Sequence, residues 1–412
     1  MLDPQTLQTH YQSFLQQPNR ILLTGHSHQA WPDVVRHALQ EVFDDAALHV
    51  DDKWSKVFAK AEHIRHVIAQ RCDLVADHVA LGQNTHELFT RFLSALPLHQ
   101  KPKVVVTDGE FHSVDRQLRA VSQPPSSQLS ASQSLAHAIP LSHTVEVEWV
   151  PAHPVETLTQ RLAQAVDHRC AAVVCSTVLF QDASIVPHFE ILAQRCEQTH
   201  TRLFLDAYHS FSVVPFSLKT LQQKAPNAMI YLSGGGYKYA QWGEGVCWLS
   251  VPKHDDILPR FTGWFSAFEF LHEARSAERA IRYGQRGAER FAGSTFDPTS
   301  LYRAVAVSDF FEQQGMTMEQ LRTLSLAQTE YLIEALTPDF DLITPRSAHA
   351  RGGFVALHVE QADHWVKALR TEHIFTDARG SSLRLGPAPY LSFENLDRAI
   401  QVMKSLKNKI ST

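Results

Sequence analysis

Residues 233–245, SGGGYKYAQWGEG, place one lysine, Lys238, between two tyrosines and directly after three glycines. The stretch lies between two apolar runs, residues 228–232 and 246–251, which predict a tight turn joining two buried strands. Glycine has no Cβ atom and adopts positive φ angles, so the backbone here can approach a bulky group closely. An unpaired lysine in an apolar setting tends to lose its charge and become nucleophilic. Lys238 is therefore a candidate Schiff-base lysine, with a surface lysine on a glycine-rich hairpin as the alternative.

The composition is that of a globular protein with no sign of a nucleic-acid or membrane partner. The chain has 412 residues, of which 44% are hydrophobic and 20% charged, enough for two or three structural units. Its net charge of −5 leaves no basic stripe for nucleic acid. No apolar run approaches the roughly 20 residues that span a bilayer, and the N-terminus lacks an apolar signal core. These features predict a cytoplasmic protein.

The cysteines and histidines predict neither a disulfide framework nor a metal site. There are five cysteines, an odd number, and none forms a CxxC pair. Such cysteines are typical of reduced, mostly buried thiols in a cytoplasmic protein. The 24 histidines include no HExxH motif and no close cluster with cysteines, so we predict that no metal is bound.

Short apolar runs alternate with helical patterns through the first half of the chain. The predicted strands cover residues 79–81, 103–106, 145–150, 171–175 and 202–205. Helical patterns follow Thr85 and Ser113 and cover residues 155–165 and 187–198. This alternation predicts βαβ units and hence an α/β fold with a mostly parallel central sheet flanked by helices.

The alternation stops beyond about residue 256, which predicts two domains. Residues 1–20 are predicted as a helical segment packing on the small domain, and residues 21–265 as the large domain. Residues 266–412 are predicted as connecting helices followed by a small α+β C-terminal domain. The Ser-, Gln- and Pro-rich residues 122–142 look like a surface excursion of the large domain.

Four residues able to do chemistry lie at or shortly after the ends of predicted strands: Thr85, His112, Ser176 and Asp206. Ligands of parallel α/β sheets bind at the carboxyl ends of the strands, so these residues predict a pocket at that edge. A carboxylate at Asp206 and an amine at Lys238 on neighbouring strand ends suit pyridoxal phosphate, whose pyridine nitrogen needs a carboxylate partner. A helix N-terminus at residues 82–85 suits its phosphate. The alternative for Asp206 is a turn or helix cap.

Competing motifs fail in detail. Lys238 is followed by a tyrosine and is not preceded by GxxxxG, so the stretch is not a P-loop. A dinucleotide-binding fingerprint needs a glycine where Tyr239 stands. No GxSxG elbow occurs, which argues against a serine hydrolase.

Residues 206–209, DAYH, together with residues 236–239, GYKY, resemble the fold-type I pyridoxal-phosphate enzymes of the class V aminotransferase superfamily. Within that superfamily the chain is most similar to the kynureninases, from about residue 21 to residue 406. The resemblance implies the fold-type I transferase fold, pyridoxal 5′-phosphate as cofactor and a small-molecule amino acid as substrate.

The resemblance also implies roles around the cofactor. Lys238 would hold the cofactor covalently, Asp206 would pair with its pyridine nitrogen, and His209 would lie near its phenolic oxygen. Tyr237 would reach the phosphate and act as an acid. The remaining cofactor contacts implied by the resemblance are Asn84 and Thr85 at the phosphate, His112 stacked on the ring, Asp115 after it, Ser176 near the ring and Trp264 at the phosphate.

Other implied residues concern the substrate and a partner subunit. Arg384 would hold the substrate α-carboxylate, which a planar guanidinium can bind with two hydrogen bonds. His26 and His49 are predicted on the substrate side. Residues 293–295, which include Ser294 and Thr295, resemble a segment that enters the partner's site, and this implies a homodimer.

Departures from the kynureninase pattern lie on the substrate side. His26 stands in an altered GHSHQ segment, Leu179 replaces a family asparagine, and residues 242–245, WGEG, replace a GGPG turn. The leading hypothesis is nevertheless hydrolytic Cβ–Cγ cleavage of kynurenine or 3-hydroxykynurenine. The alternatives are an aminotransferase, epimerase or other lyase of the superfamily, and a non-catalytic protein that binds the cofactor. A desulfurase with a nucleophilic cysteine is disfavoured because residues 371–383 contain none.

Overall fold

The computed structural model describes residues 2–15, 20–122, 145–270, 273, 281–285 and 287–410, so the segment predicted as a surface excursion lies, apart from Ser122, outside the described residues. The strands are β1 Ile21–Leu22, β2 Val79–Gly82, β3 Lys103–Thr107, β4 Glu146–Val150, β5 Cys170–Ser176, β6 Arg202–Asp206, β7 Ile230–Gly235, β8 Cys247–Ser250, β9 Asp341–Leu342, β10 Val355–His358, β11 Ile374–Phe375, β12 Asp377–Arg379 and β13 Ser382–Leu385. The α-helices are α1 Pro4–Gln8, α2 Gln12–Leu15, α3 Val35–His49, α4 Lys53–Cys72, α5 Thr85–Ala95, α6 His112–Ser122, α7 Leu158–Ala165, α8 Phe189–Thr199, α9 Leu218–Lys224, α10 Thr299–Gln313, α11 Met318–Leu336, α12 Ala362–Thr371 and α13 Phe393–Ile410.

The apolar runs of the first half form a seven-stranded sheet in the order β2-β8-β7-β6-β5-β3-β4. Strands β7, β6, β5, β3 and β4 are parallel, whereas β8 is antiparallel to both of its neighbours. All seven residues of β5 are buried because both faces of the sheet are covered. Val173 belongs to the hydrophobic cluster on one face and Val174 to the cluster on the other. The predicted α/β fold with a mostly parallel sheet is confirmed.

The strand register brings polar residues together at the carboxyl edge of this sheet. Ser176 of β5 lies opposite Asp206 of β6, and Asp206 lies opposite Ser233 of β7. Lys238 follows β7 in the turn that leads into β8. The edge predicted to carry the site is therefore the edge at which Asp206 and Lys238 meet.

The C-terminal part is built on a second, antiparallel sheet in the order β12-β13-β10-β9. Strand β1 pairs in parallel with β11, and the backbone N–H of Gly25 donates to the carbonyl of Gly386 at 2.8 Å. Residues 21–25, predicted as the start of the large domain, therefore lie against the C-terminal part, because their backbone groups find partners there. The other domain boundaries stay predictions.

Two further features concern the cysteines and the possibility of a membrane-spanning helix. The five cysteines are free and buried, as expected; the cytoplasmic location inferred from them stays a prediction. Among the helices of the described ranges, none combines the length and the apolar composition needed to cross a membrane.

Replacement of Gly235 by alanine should destabilise the fold. An added Cβ at the end of β7 would lie 2.1 Å from Oη and 2.2 Å from Cζ of Tyr208, too close for any atom. We expect Gly235→Ala to lower the free energy of unfolding by about 3 kcal/mol, measured by urea denaturation. Gly315→Ala is the control, because Gly315 has φ +65° but no neighbour within 4 Å and should lose only about 1 kcal/mol. Equal losses in the two variants would contradict this packing argument.

Candidate active site

Lys238 is a buried lysine whose nearest hydrogen-bonding partner is an imidazole. Only 4% of the residue is exposed, and its Nζ lies 2.7 Å from Nε2 of His209. The ring centres of Phe111, Tyr208 and Tyr237 lie 5.5, 5.1 and 5.7 Å from Nζ. Burial lowers the pKa of Lys238 well below its ordinary value; the negative charge of Asp206 opposes this shift and the positive charge of Arg384 adds to it. The amine is thus poised to be neutral and nucleophilic, as predicted for a Schiff-base lysine.

Asp206 ends β6 and is also buried. Its Oδ1 accepts a hydrogen bond from the backbone N–H of Tyr208 at 2.8 Å, so one oxygen caps the turn that follows the strand. Burial raises the pKa of Asp206, while the hydrogen bond from Tyr208 and the charge of Lys238 act in the opposite direction. Asp206 therefore does cap a turn, as its alternative role predicted. This cap uses one oxygen of the carboxylate.

Glu110 is a buried acid of the site that the sequence analysis missed. Its Oε1 accepts from the backbone N–H of Ser176 at 2.7 Å, and its Oε2 accepts from the Ser176 hydroxyl at 2.8 Å. Burial, together with the charge of Asp206, raises the pKa of Glu110 to about 8. Glu110 follows β3 by three residues, so the rule that selected the other strand-end residues could also have found it.

Residues 82–85, predicted to bind the phosphate, lie at the N-terminus of α5 and have features that suit an anion. Asn84 caps α5, since its Oδ1 accepts from the backbone N–H of Glu87 at 2.9 Å. Within the described part of the chain, the buried Oγ1 of Thr85 has no hydrogen-bond partner, although the Cys247 thiol is a neighbour. A hydroxyl held ready at the N-terminus of an eleven-residue helix suits a phosphate.

Arg384 and His26 meet at Asp377, a second residue that the sequence analysis did not single out. Arg384 donates to Asp377 Oδ1 from Nε at 2.9 Å and to Oδ2 from Nη2 at 2.5 Å, and its Nη1 donates to the carbonyl of Phe180 at 2.6 Å. His26 Nε2 lies 2.7 Å from Asp377 Oδ1. Burial alone would raise the pKa of Asp377, but His26 and Arg384 lower it well below its usual range. No strand-end pattern marks Asp377, because it lies on the antiparallel sheet.

The ring of Phe111 lies 5.5 Å from Lys238 Nζ, and the next residue, His112, is the one predicted to stack on the cofactor. His112 is exposed, with its ring 5.3 Å from the ring of Phe111 and 5.9 Å from that of Phe180. His112 begins α6, and its stacking on the cofactor stays a prediction. Asp115, one turn further along, forms an ion pair with Arg119 at 2.9 Å on the helix surface.

Tyr237 and His209 lie beside Lys238, and their contacts with the cofactor stay predictions. The Tyr237 ring lies 5.2 Å from that of Tyr208 and 5.3 Å from the ring of the exposed His28. Burial raises the pKa of Tyr237 above its ordinary value, which keeps its phenol protonated. Burial, with the charge of Lys238, lowers the pKa of His209, which keeps its imidazole neutral.

Among the contacts of the described residues, none joins Lys238 to Trp264, Ser294, Thr295 or His49, which were predicted at the site. Trp264 donates from Nε1 to Thr295 Oγ1 at 3.2 Å, and both residues, with Ser294, are exposed. Ser294 and Thr295 line a cavity of about 610 Å³ that also touches residues 82–83, but Lys238 does not line it. His49 ends α3 and faces Asp45 at 3.9 Å, not Arg384 or His26.

A metal centre finds no support in the geometry. In the ranges that the structure describes, no three or more His, Cys, Asp and Glu side chains are grouped so that they could hold a metal ion.

The comparisons with known proteins show the fold. Residues 321–403 match the family model described as the kynureninase C-terminal domain. None of the curated proteins matches the chain in sequence. A cysteine desulfurase from Thermococcus onnurineus NA1 is similar in structure, with a TM-score of 0.78, 16% identity and 99% of each chain covered. The cysteine desulfurase CsdA from Escherichia coli has a TM-score of 0.76 and 13% identity, with 100% of this chain and 99% of that chain covered.

The cystine C–S lyase C-DES is also similar. One structure of it, with glycine covalently linked to its pyridoxal-phosphate cofactor, has a TM-score of 0.77 and 16% identity, and 96% of this chain and 98% of that chain are covered. At such identities the likeness concerns the fold alone. The chain therefore has the fold-type I architecture of these enzymes, and its C-terminal part matches the kynureninase model over a range that includes Arg384.

Replacement of Glu110 by glutamine should change how stability depends on pH. In the folded chain the Glu110 carboxyl stays protonated up to about pH 8, whereas its ordinary pKa is 4.5, so the stability it contributes at low pH is lost as the pH rises through this interval. Glutamine is neutral throughout. We expect the free energy of unfolding of Glu110→Gln, relative to that of the wild type, to rise by on the order of 2–4 kcal/mol from pH 5 to pH 9. Urea unfolding at each pH measures it. The exposed Glu156→Gln should show no such trend; a difference for Glu110→Gln that is independent of pH would mean that Glu110 is ionised.

Proposed function

We propose that the protein is a pyridoxal-phosphate-dependent enzyme that hydrolyses the Cβ–Cγ bond of an amino acid with a γ-carbonyl, such as kynurenine or 3-hydroxykynurenine. The products are alanine and an anthranilate-type acid. The observation that carries the proposal is the buried amine of Lys238, 2.7 Å from His209 and facing Asp206 and Arg384. The match of residues 321–403 to the kynureninase model favours this reaction over others of the same fold.

The residues of the site fit pyridoxal phosphate. The Thr85 hydroxyl and the N-terminus of α5 suit the phosphate, Asp206 suits a protonated pyridine nitrogen, and Lys238 suits the aldehyde. The backbone at Gly234 and Gly236 passes so close to Trp248 and Trp242 that a Cβ would lie 2.7 and 2.3 Å from their rings. These glycines keep the strand end packed directly against its supporting rings, which positions Lys238.

When bound, pyridoxal phosphate supplies an electron sink that stabilises negative charge at the substrate Cα. The residues of the chain do the rest. Arg384 binds the α-carboxylate of the substrate and orients it, and Lys238 accepts the Cα proton at Nζ, since burial lowers its pKa to about 7 and makes a large neutral fraction available. Tyr237 keeps its phenolic proton and can deliver it to a leaving carbon. His209 holds Nζ of Lys238 in place through its Nε2.

The substrate side is aromatic, which suits an aryl side chain. Phe111 and Phe180 meet edge to face at 5.5 Å, and the carbonyl of Phe180 is itself a partner of Arg384. The rings of His28 and Tyr237 form a second aromatic contact, with 5.3 Å between their centres. Aromatic pairs of this kind stabilise a further ring by stacking and edge contacts.

The alternative is another reaction of this fold on a different amino acid, such as transamination, epimerisation or β-elimination. The similar structures favour it, since they are cysteine desulfurases and a cystine C–S lyase. A desulfurase that uses its own thiolate is disfavoured, because all five cysteines are buried and burial raises the pKa of Cys247 to about 12.

Lys238→Ala should abolish covalent attachment of the cofactor. We expect the wild type, loaded with pyridoxal phosphate, to show a visible absorption band, and borohydride to fix the cofactor on Lys238, detected by peptide mass spectrometry. Lys103→Ala is the matched control: Lys103 is also largely buried, but its ammonium pairs with Glu148 at 2.6 Å and Asp167 at 3.2 Å and stays charged. A wild type without the band would refute the proposed cofactor.

The reaction is tested by incubating the loaded enzyme with kynurenine and with 3-hydroxykynurenine. The proposal expects alanine and the corresponding aromatic acid in equal amounts. A keto acid together with pyridoxamine phosphate would instead establish transamination, and no turnover of either compound would exclude both as substrates.

We propose further that the enzyme is a homodimer whose sites lie at the subunit interface. Ser294 and Thr295 are exposed and line a cavity that Lys238 of their own chain does not line, which is the arrangement that a contribution to a partner's site requires. Large apolar side chains are exposed beside them, as expected for a covered surface. These side chains are Phe58 and Phe268, which line the same cavity, and Trp264, which donates to Thr295; Leu39 and Phe43 are exposed on α3, which packs against the Phe58 helix α4.

Phe43→Asp should weaken self-association. The Phe43 side chain is 68% exposed on α3, and a charge buried in an apolar interface is costly. We expect a dimer for the wild type and a monomer for Phe43→Asp in sedimentation velocity. Ile343→Asp changes an apolar residue that is also exposed, though only to 37%, and that follows β9; it should leave the dimer intact. A wild type that sediments as a monomer would exclude the proposed dimer.

A further inference from the structure

Resting on the proposed function, we propose that Asp377 is a positioning residue that orients the guanidinium of Arg384 for the carboxylate of the substrate. Asp377 thereby sets how strongly the site prefers an amino acid over the same amine without a carboxylate. Three features give Asp377 this role: the register of two strands, the hydrogen bonds of Arg384 and the buried His26.

The two residues face each other across the antiparallel sheet. Asp377 of β12 lies directly opposite Arg384 of β13, so their side chains leave the same face of neighbouring strands. Both oxygens of Asp377 are engaged by Arg384, at Nε with 2.9 Å and at Nη2 with 2.5 Å. This two-point contact fixes the plane of the guanidinium as well as its position.

The remaining donors of Arg384 define what it can still bind. A guanidinium has five N–H groups. Nε and one N–H of Nη2 go to Asp377, and one N–H of Nη1 goes to the carbonyl of Phe180. One N–H of Nη1 and one of Nη2 are left over, which is the pair that a single carboxylate needs for a two-point contact.

His26 holds Asp377 in turn. The His26 side chain is fully buried, and its ring packs on that of Phe354 with 4.6 Å between centres. Since a carboxylate can only accept, Nε2 of His26 donates to Asp377 Oδ1 at 2.7 Å. Burial lowers the pKa of His26 to about 4, so this contact is a hydrogen bond from a neutral ring. The N-terminal segment thus supports Asp377, and Asp377 supports Arg384.

A role of Asp377 through its charge and a role through its position predict opposite changes in carboxylate binding when Asp377 is replaced by asparagine. If its negative charge were what mattered, removing that charge would strengthen binding of a carboxylate, because like charges repel. If its position matters, an asparagine there loses the contact with Nη2, the guanidinium turns, and binding of the carboxylate weakens. The sign of the change separates the two.

The experiment measures binding of L-alanine and of ethylamine to the holoenzyme through the change in its visible absorption. Ethylamine is the same amine without the carboxylate, so the ratio of the two dissociation constants isolates carboxylate recognition. We expect Asp377→Asn to lower the preference for L-alanine about tenfold, the loss that follows when one charge-assisted hydrogen bond is misplaced. Ethylamine binding and the spectrum of the free holoenzyme should not change.

Asp255→Asn is the matched control. Arg202 donates to Asp255 from Nε and Nη2, both at 2.8 Å, in a buried pair of the same form at the opposite end of β6. This variant loses the same kind of ion pair but should keep the preference of the wild type. Asp377→Glu, which keeps the charge and shifts the carboxylate by one methylene, serves if Asp377→Asn does not fold, and it should lower the preference about threefold.

Different results would overturn the positioning role of Asp377 and the proposed function. An unchanged preference in both Asp377 variants, or a higher one in Asp377→Asn, would overturn the positioning role. Equal losses in Asp377→Asn and Asp255→Asn would assign the effect to stability and overturn it as well. A wild type that shows no cofactor spectrum would refute the proposed function itself, and that result is read before any amine is added.

Discussion

The arrangement around the site depends on the burial of one amine. Lys238 is held in a tight turn at the carboxyl edge of the sheet, and its partner there is the neutral ring of His209. Desolvation lowers its pKa, and the carboxylate of Asp206 only partly opposes that shift. A lysine paired directly with a carboxylate, such as Lys103, stays charged and inert. The glycines before Lys238 serve this burial, because they let the strand end pack against tryptophan rings.

A second constraint is that the site is assembled from distant parts of the chain. Strand register brings Ser176, Asp206 and Ser233 to one edge of the parallel sheet, and the turn after β7 adds Lys238 there. Arg384 comes from the antiparallel sheet, and His26 comes from the N-terminal segment. The pairing of β1 with β11 anchors that segment, so a few backbone hydrogen bonds far from the lysine place the groups proposed to bind the substrate.

The polar site is buried, and an aromatic area elsewhere on the chain is exposed. Trp264 and Phe268 belong to an aromatic cluster that is partly open to solvent, next to Ser294 and Thr295. A soluble monomer rarely leaves such a surface open. This division explains why Ser294 and Thr295, which the resemblance links to the cofactor, line a cavity that Lys238 of their own chain does not line, and why a partner subunit is proposed to bring such residues to the site.

The sequence by itself determined the α/β fold, the strand that ends at Asp206, the helix that begins at Thr85 and the identity of the unusual lysine. Each of these follows from local patterns: apolar runs, helix caps and glycines next to one another in the chain. Tertiary structure alone decided that Asp377 forms two hydrogen bonds with Arg384, because this contact depends on the pairing of β12 with β13. It also decided that the ring of Phe111 lies beside Lys238, a contact between residues far apart in the chain. Contacts between distant residues leave no periodic trace in a sequence, and packing determines them.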